Sequence, residues 1–306
     1  MKKPVFVGSG VAIITPFRQD MSVDYDRLRS LIDFQIANGT DAIIICGTTG
    51  EASTQSTEEH LKTIEECVKH VNHRVPVIAG TGSNDTVYAG EMSREAREIG
   101  VDALLVVSPY YNKTTQAGLI RHIEYIADHA GIPIILYNIP GRTGMSFSVD
   151  TYCELAKHPL VNGVKEASGD LAAVATVMQK VGDDLNFWSG EDNLIVPVMS
   201  LGGMGVISVL ANIAPRETAD ICRLYLQGNV RESAALQIRM TELINALFCE
   251  VNPIPVKAAL KMMGLDAGYL RMPLIEMSEK NQARLKSAMI EAGILNTDGT
   301  SKYKLS

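Results

Sequence analysis

The sequence predicts an α/β chain folded as a (β/α)8 TIM barrel with a C-terminal helical appendage. Three observations carry this. Short apolar runs recur along the chain with starts spaced by roughly 20–35 residues, the length of one β-α unit. Several runs are apolar on successive residues instead of alternating, most clearly Ala42-Ile43-Ile44-Ile45-Cys46 and Ala103-Leu104-Leu105-Val106-Val107, which suits parallel strands covered on both faces. The segments between them carry helix signals. An open doubly wound sheet is the competing architecture, and it usually needs fewer strands.

The strand runs are Val7–Ile14, Ala42–Cys46, Val75–Ala79, Ala103–Val107, Ile134–Tyr137, Val161–Lys165, Asn186–Trp188 and Val206–Val209. Between them, Asp24 to Ala37 sets Leu28, Leu31, Ile32 and Ile36 on one face. Thr57-Glu58-Glu59 opens a helix with acids in its first turn, where the helix dipole favours them. Asn84 to Ile99 places acids early and arginines later. From Asn229 the strand signal stops, and Val230–Phe248, Pro255–Met263 and Ser278–Ala292 read as helices. The expected division is a catalytic barrel over 1–228, a three-helix region over 229–295 and a loose polar tail over 296–306.

Composition narrows the function classes. The chain has 306 residues, 46% hydrophobic and 21% charged, a balance that excludes disorder for its bulk. A net charge of -7 without a basic stripe gives no electrostatic footprint for nucleic acid. The apolar runs are strand-length, so no membrane span is expected. Pro4 to Ile14 reads as a first strand and not a signal peptide. The 5 cysteines are odd in number and far apart, which suits reduced thiols in the cytoplasm.

In a barrel, chemistry sits at the C-terminal ends of the strands and in the loops that follow. Lys165 ends an apolar strand there. Lysine is almost never fully buried without a partner or a purpose, and a desolvated, neutral amine can attack a ketone carbonyl. The structural alternative is a salt bridge to Glu166 or another acid at the barrel mouth. Tyr137 ends the preceding strand and can relay a proton, or be a core tyrosine bonded to a backbone carbonyl. Thr48 and Thr49 lie between two glycines; they can hold a carboxylate or pass a proton, or simply form a tight turn. Arg142, in a glycine-flanked loop, can grip a carboxylate in two places, though most loop arginines are merely solvated. Tyr110-Tyr111 reads as a surface aromatic pair or an interface anchor.

Two absences shape the substrate class. Barrels that bind phosphate usually do so after strands seven and eight. Here Glu191 and Asp192 stand after strand seven and would repel an anion, and only Gly202, Gly203 and Gly205 argue the other way. A carboxylate or carbonyl substrate fits better. No metal-ligand spacing appears, since His70 and His73 fall at a helix end away from the active face, and Gly80-Thr81-Gly82 only partly matches a dinucleotide fingerprint. No cofactor and no metal are expected.

Taken in order, Gly47-Thr48-Thr49-Gly50-Glu51, Ser108-Pro109-Tyr110-Tyr111-Asn112, Tyr137-Asn138-Ile139-Pro140-Gly141-Arg142-Thr143-Gly144, Gly163-Val164-Lys165-Glu166-Ala167 and Asn252-Pro253-Ile254-Pro255-Val256-Lys257 resemble the dihydrodipicolinate synthase family of pyruvate-dependent class I aldolases, which also holds N-acetylneuraminate lyase. The resemblance runs from Gly10 to about Leu295. It implies that Lys165 forms an imine with pyruvate. Tyr137, Thr48 and Tyr111 would form a proton relay, with Tyr111 reaching into a neighbouring subunit. Thr49 would help hold the pyruvate carboxylate, the main chain of Gly190 and Ile207 would line the pocket, and Arg142 would receive the carboxylate of L-aspartate 4-semialdehyde. The implied product is 4-hydroxy-tetrahydrodipicolinate, at the entry to the diaminopimelate and lysine branch.

The alternatives are another aldolase of the family, such as N-acetylneuraminate lyase, and a non-catalytic barrel protein. Thr49 and Arg142 favour the synthase over the lyase, and retention of Lys165, Tyr137, Thr48 and Tyr111 speaks against the non-catalytic reading. The resemblance also implies a homo-oligomer, a tetramer built as a dimer of dimers. Many members are inhibited by lysine at a subunit interface, at positions matching Ala52, Ser53, Thr57, His60, Asn84, Tyr88 and Tyr110 here. His60, Asn84 and Tyr110 fit the lysine-sensitive pattern. Tyr88 replaces an acid that would meet the ligand's ammonium group, and Thr57 and Ala52 also depart from the pattern. Weak or absent lysine feedback is therefore expected.

Overall fold

The computed structural model describes residues 2–303. Eight parallel strands, β1 (Gly8–Ala12), β2 (Ala42–Ile45), β3 (Val77–Gly80), β4 (Ala103–Val107), β5 (Ile134–Asn138), β6 (Val161–Glu166), β7 (Asn186–Ser189) and β8 (Gly205–Ser208), pair in chain order. β8 returns to β1 and closes the barrel. The predicted fold class is the observed one.

Local chemistry sets the helix starts. Helix α1 (Tyr25–Ala37) is capped by Asp24, whose carboxylate accepts from the Arg27 amide. Helix α2 (Thr57–Val71) is capped by Ser56 and α3 (Thr86–Ile99) by Asp85. Each cap accepts a bond from an amide left free by the first turn. Helix α4 (Gln116–Ala130) follows, then the one-turn α5 (Pro140–Thr143), α6 (Val149–Leu155), α7 (Leu171–Val181), α8 (Ile195–Ser200) and α9 (Pro215–Leu226).

Strand ends differ from the sequence reading for identifiable reasons. The first strand stops at Ala12, two residues before Ile14, and the Ile14 amide donates instead to the Asn212 side chain at 3.1 Å. The third begins after Pro76, which has no N–H to give a ladder. The sixth runs one residue past Lys165, because Asn138 and Glu166 are still in register. Gly205, the first residue of β8, serves strand packing: a Cβ on it would lie 1.9 Å from the Gly8 carbonyl oxygen at the barrel seam.

Two apolar layers result. Inside the barrel, Ile44, Ile78, Leu105, Ile135 and Ile207 pack together, and Phe6 stacks on Trp188 with ring centroids 5.1 Å apart. A larger layer lies between the strands and the helices. After the barrel come α10 (Val230–Leu247), α11 (Ile254–Met262) and α12 (Glu279–Glu291).

The tail is not loose over its described part. Asn296 donates to the Thr300 carbonyl at 2.8 Å, Leu295 pairs with Ser301, and the Tyr303 ring meets Phe34 edge-on at 5.4 Å. The Tyr303 hydroxyl also donates to Glu217. One aromatic residue thus fastens a polar segment to the barrel's outer face. Residues 304–306 of the expected tail lie outside the described residues. Among the described residues, no helix is long and apolar enough to cross a membrane.

Candidate active site

The site is built from the alternation of two neighbouring strands. Tyr137 on β5 and Lys165 on β6 are register partners, and the Lys165 Nζ lies 4.2 Å from the centroid of the Tyr137 ring. Both are buried. Successive strand residues face opposite sides, so Glu166 points away from Lys165. Its carboxylate accepts from Asn138 Nδ2 at 3.0 and 3.1 Å, from the Tyr152 hydroxyl at 3.3 Å and from the Ser168 amide at 2.8 Å. The salt bridge Lys165–Glu166, the structural alternative drawn from sequence, is therefore absent, for a reason that period-two geometry supplies.

Electrostatics tune both groups. Burial brings the Lys165 ammonium down to about 8; the Asp192 carboxylate pulls it upward and the Arg142 cation pushes it further down. At neutral pH a group at that value is neutral in about a tenth of molecules, far more than an ordinary lysine. Burial pushes the Tyr137 phenol up to about 12, against the nearby Arg142 cation and the Thr48 side chain, which pull it down. The phenol is thus held protonated, ready to donate and recover a proton.

Thr48 and Thr49 lie on a tight double turn after β2, in which Gly50 donates to Gly47 and Glu51 to Thr48, both at 3.1 Å. Thr48 is exposed and Thr49 buried. The Thr49 hydroxyl accepts from Asn252 Nδ2 at 3.0 Å. Arg142 sits in α5 instead of an open loop, is exposed, and donates through Nη2 to the Asn252 carbonyl at 3.3 Å. Asn252 therefore touches both residues expected to meet substrate carboxylates.

A cavity of about 360 Å³ opens here, lined by Thr48, Tyr137 and Arg142 on one side and by Ser53, His60, Tyr88 and Tyr110 on another. Thr48, Tyr137 and Arg142 thus share one cleft with candidate lysine-site residues, while Lys165 and Thr49 are not among its lining residues. Asn84 is not among its lining residues; its carbonyl accepts from Asn112 Nδ2 at 3.0 Å and ties down the loop carrying Tyr110 and Tyr111. Gly190 and Ile207 lie on the β7 and β8 side, where the Gly190 amide donates to the Glu166 carbonyl at 2.6 Å and Ile207 is fully buried. Tyr111 stands apart: it is 92% exposed with a left-handed φ of 65°, and within one chain it does not join the cluster.

Asp192 is buried, accepting from the Ser208 hydroxyl at 2.5 Å and from the Val209 and Leu210 amides at 3.1 and 2.9 Å. Its position after β7 was visible in the sequence; its burial was not. Asn252 was likewise visible within a quoted motif, with nothing there to give it a contact.

Comparison with known proteins agrees with this geometry. The model of the Dihydrodipicolinate synthetase family matches residues 5–292. A protein of Thermoanaerobacter sp. named 4-hydroxy-tetrahydrodipicolinate synthase is 52% identical over 293 residues, spanning 95% of this chain and 98% of its own. The crystal structure of dihydrodipicolinate synthase from Aquifex aeolicus superposes with a TM-score of 0.91 at 44% identity, over 93% of this chain and 97% of that one. The chloride-inhibited dihydrodipicolinate synthase from Acinetobacter baumannii, solved complexed with pyruvate, gives 0.92 at 43% identity, over 94% and 99%. A match of that extent, on a barrel that brings Lys165 under Tyr137, places the chain in the dihydrodipicolinate synthetase family.

Proposed function

We propose that this chain condenses pyruvate with L-aspartate 4-semialdehyde through a Schiff base on Lys165, giving 4-hydroxy-tetrahydrodipicolinate at the entry to the diaminopimelate and lysine branch. The observation that carries the reading is the buried Lys165 amine lying 4.2 Å from the Tyr137 ring, in a chain half identical to proteins named for this synthesis. That a relative was solved with pyruvate supports the first substrate.

The neutral Lys165 amine adds to the pyruvate ketone, and water leaves as the imine forms. The protonated imine draws electrons from the methyl group, which loses a proton and becomes an enamine carbon. Thr49 helps hold the pyruvate carboxylate by hydrogen bonds, and the main chain of Gly190 and Ile207 lines the pocket. Arg142 receives the carboxylate of the semialdehyde, so the enamine carbon attacks an oriented aldehyde, forming the new carbon–carbon bond while the aldehyde oxygen takes a proton and becomes a hydroxyl. Tyr137, Thr48 and Tyr111 carry the protons. The amino group of the second substrate then displaces Lys165, closes the ring and frees the enzyme.

Tyr111 supplies its hydroxyl to a neighbouring copy, which its exposure and strained backbone suit. The working form is a homo-oligomer, a tetramer made of two dimers. The five cysteines are free thiols, three of them buried, and a reducing cytoplasm suits them. Lysine feedback is weak or absent: the Tyr88 hydroxyl and Thr57 Oγ1 lie 3.0 Å apart and satisfy each other, where an acid would be needed to meet an ammonium group.

Turnover with pyruvate, offered the semialdehyde and N-acetylmannosamine in separate reactions, tests the reading. Condensation with the semialdehyde alone supports it; condensation with the amino sugar makes the chain a lyase-type aldolase.

A further inference from the structure

The double turn that carries Thr48 and Thr49 ends on Glu51, a buried acid in a left-handed conformation (φ 52°). Such backbone is costly for a side-chain-bearing residue and persists where its surroundings over-determine it. The surroundings are specific. Lys257 on α11 places Nζ 2.5 Å from Glu51 Oε1, both side chains almost fully buried. The Arg271 amide donates to Glu51 Oε2 at 3.0 Å. Lys257 also donates to the Tyr269 carbonyl at 2.7 Å and lies 4.5 Å from the Phe17 ring. The Arg271 guanidinium shares that ring at 4.1 Å and forks onto Glu59.

We propose that the buried Glu51–Lys257 ion pair is a positioning device, through which the C-terminal helices hold the Thr48–Thr49 turn, and with it the pyruvate grip and the proton relay, in working geometry. The inference rests on the function proposed above. A buried ion pair is a poor source of net stability, because apolar residues of similar volume serve as well or better; what it supplies is a fixed point. Here the segment entering and forming α11 grips the turn twice, at Thr49 through Asn252 and at Glu51 through Lys257. Without Lys257 the Glu51 carboxylate gains by reaching water, and the turn moves with it. Lys257 is not a second imine-forming lysine, since its ammonium is already engaged by Glu51, Tyr269 and Phe17.

The test separates imine formation from the steps that follow. Borohydride trapping with saturating pyruvate reads Lys165, and exchange of the pyruvate methyl protons into deuterated water reads the relay. Lys257→Met should still trap pyruvate, while exchange falls about tenfold or more and the pyruvate KM rises. The double variant E51Q/K257M, which buries no lone charge, should recover exchange to within about threefold of wild type. Wild-type exchange in folded Lys257→Met, loss of trapping in that variant, or a double variant no better than the single one would each overturn the proposal. Should Lys257→Met not fold, Lys257→Arg carries the test, because it keeps the charge but cannot place it at the same point. Slowed exchange with intact trapping is expected there, and unchanged exchange overturns the proposal. Absence of trapping in the wild-type chain would overturn the functional reading beneath it, a result distinguishable from all of these.

Discussion

Tyr137 and Lys165 face each other across adjacent strands, with the amine 4.2 Å from the phenol ring and, among the described residues, no carboxylate in salt-bridge contact with it. The aromatic face and the barrel interior desolvate the amine. Among the described residues, the acid that draws its proton affinity upward is Asp192, itself held by Ser208 and two amides. The arrangement favours a neutral lysine over a salt-bridged one, and the following predictions test its consequences.

Lys165 sets function against stability. Its folded-state value of about 8 lies below the ordinary 10.5, so between those pH values the unfolded chain binds more protons at this residue. The destabilisation is therefore full below pH 8 and fades as pH rises toward 10.5. Lys165→Met should be inactive yet more stable at pH 7 by about 1–3 kcal/mol, with the gap closing at high pH. Urea unfolding at pH 7 and pH 10 checks this; a variant no more stable than wild type at pH 7 contradicts it.

Imine formation should rise with pH through a midpoint near 8, following the neutral amine. The Arg142 cation lowers that midpoint, so Arg142→Ala should move it upward while also weakening use of the semialdehyde. Stopped-flow imine formation against pH reads the first effect and the semialdehyde KM the second. An unmoved midpoint would remove Arg142 from the field felt by Lys165.

Glu166 ties β5 to β6 through Asn138, next to the Tyr137–Lys165 pair. Glu166→Ala strands Asn138 Nδ2, the Tyr152 hydroxyl and the Ser168 amide, and leaving buried donors unsatisfied should cost about 2–4 kcal/mol in all. Denaturant unfolding measures it. A cost under about 0.5 kcal/mol, the range of an ordinary surface change, would show that water or neighbours replace the carboxylate.

Much of this architecture was legible in the chain. Unbroken apolar runs announced parallel strands, and a lysine at the end of one of them marked the site. The Lys165–Glu166 alternative is one that local geometry settles, since neighbours on a strand face opposite sides. Other features were hidden by distance along the chain. Thr49 and its partner Asn252 are 203 residues apart, and nothing near either residue specifies the other. The anchoring of Tyr303 on Phe34 was invisible for the same reason, and the polar composition around it pointed to a loose tail. Tyr111 is a third kind of case: its expected role requires a second copy of the chain.

Thr49→Val should separate grip from chemistry. It removes the acceptor for Asn252 Nδ2 and the hydroxyl proposed to hold the pyruvate carboxylate. The pyruvate KM should rise about tenfold or more, the loss of one charge-assisted bond, with trapping preserved at saturating pyruvate. An unchanged KM would take Thr49 out of the pyruvate site.

The central claim is that Lys165 forms a covalent imine with pyruvate. The most direct measurement is intact mass and peptide mapping after borohydride reduction in the presence of pyruvate, on wild type and Lys165→Ala. The account predicts one pyruvyl adduct per chain, on the peptide containing Lys165, and none in the variant. An adduct on another lysine, or an equal adduct in Lys165→Ala, would contradict it.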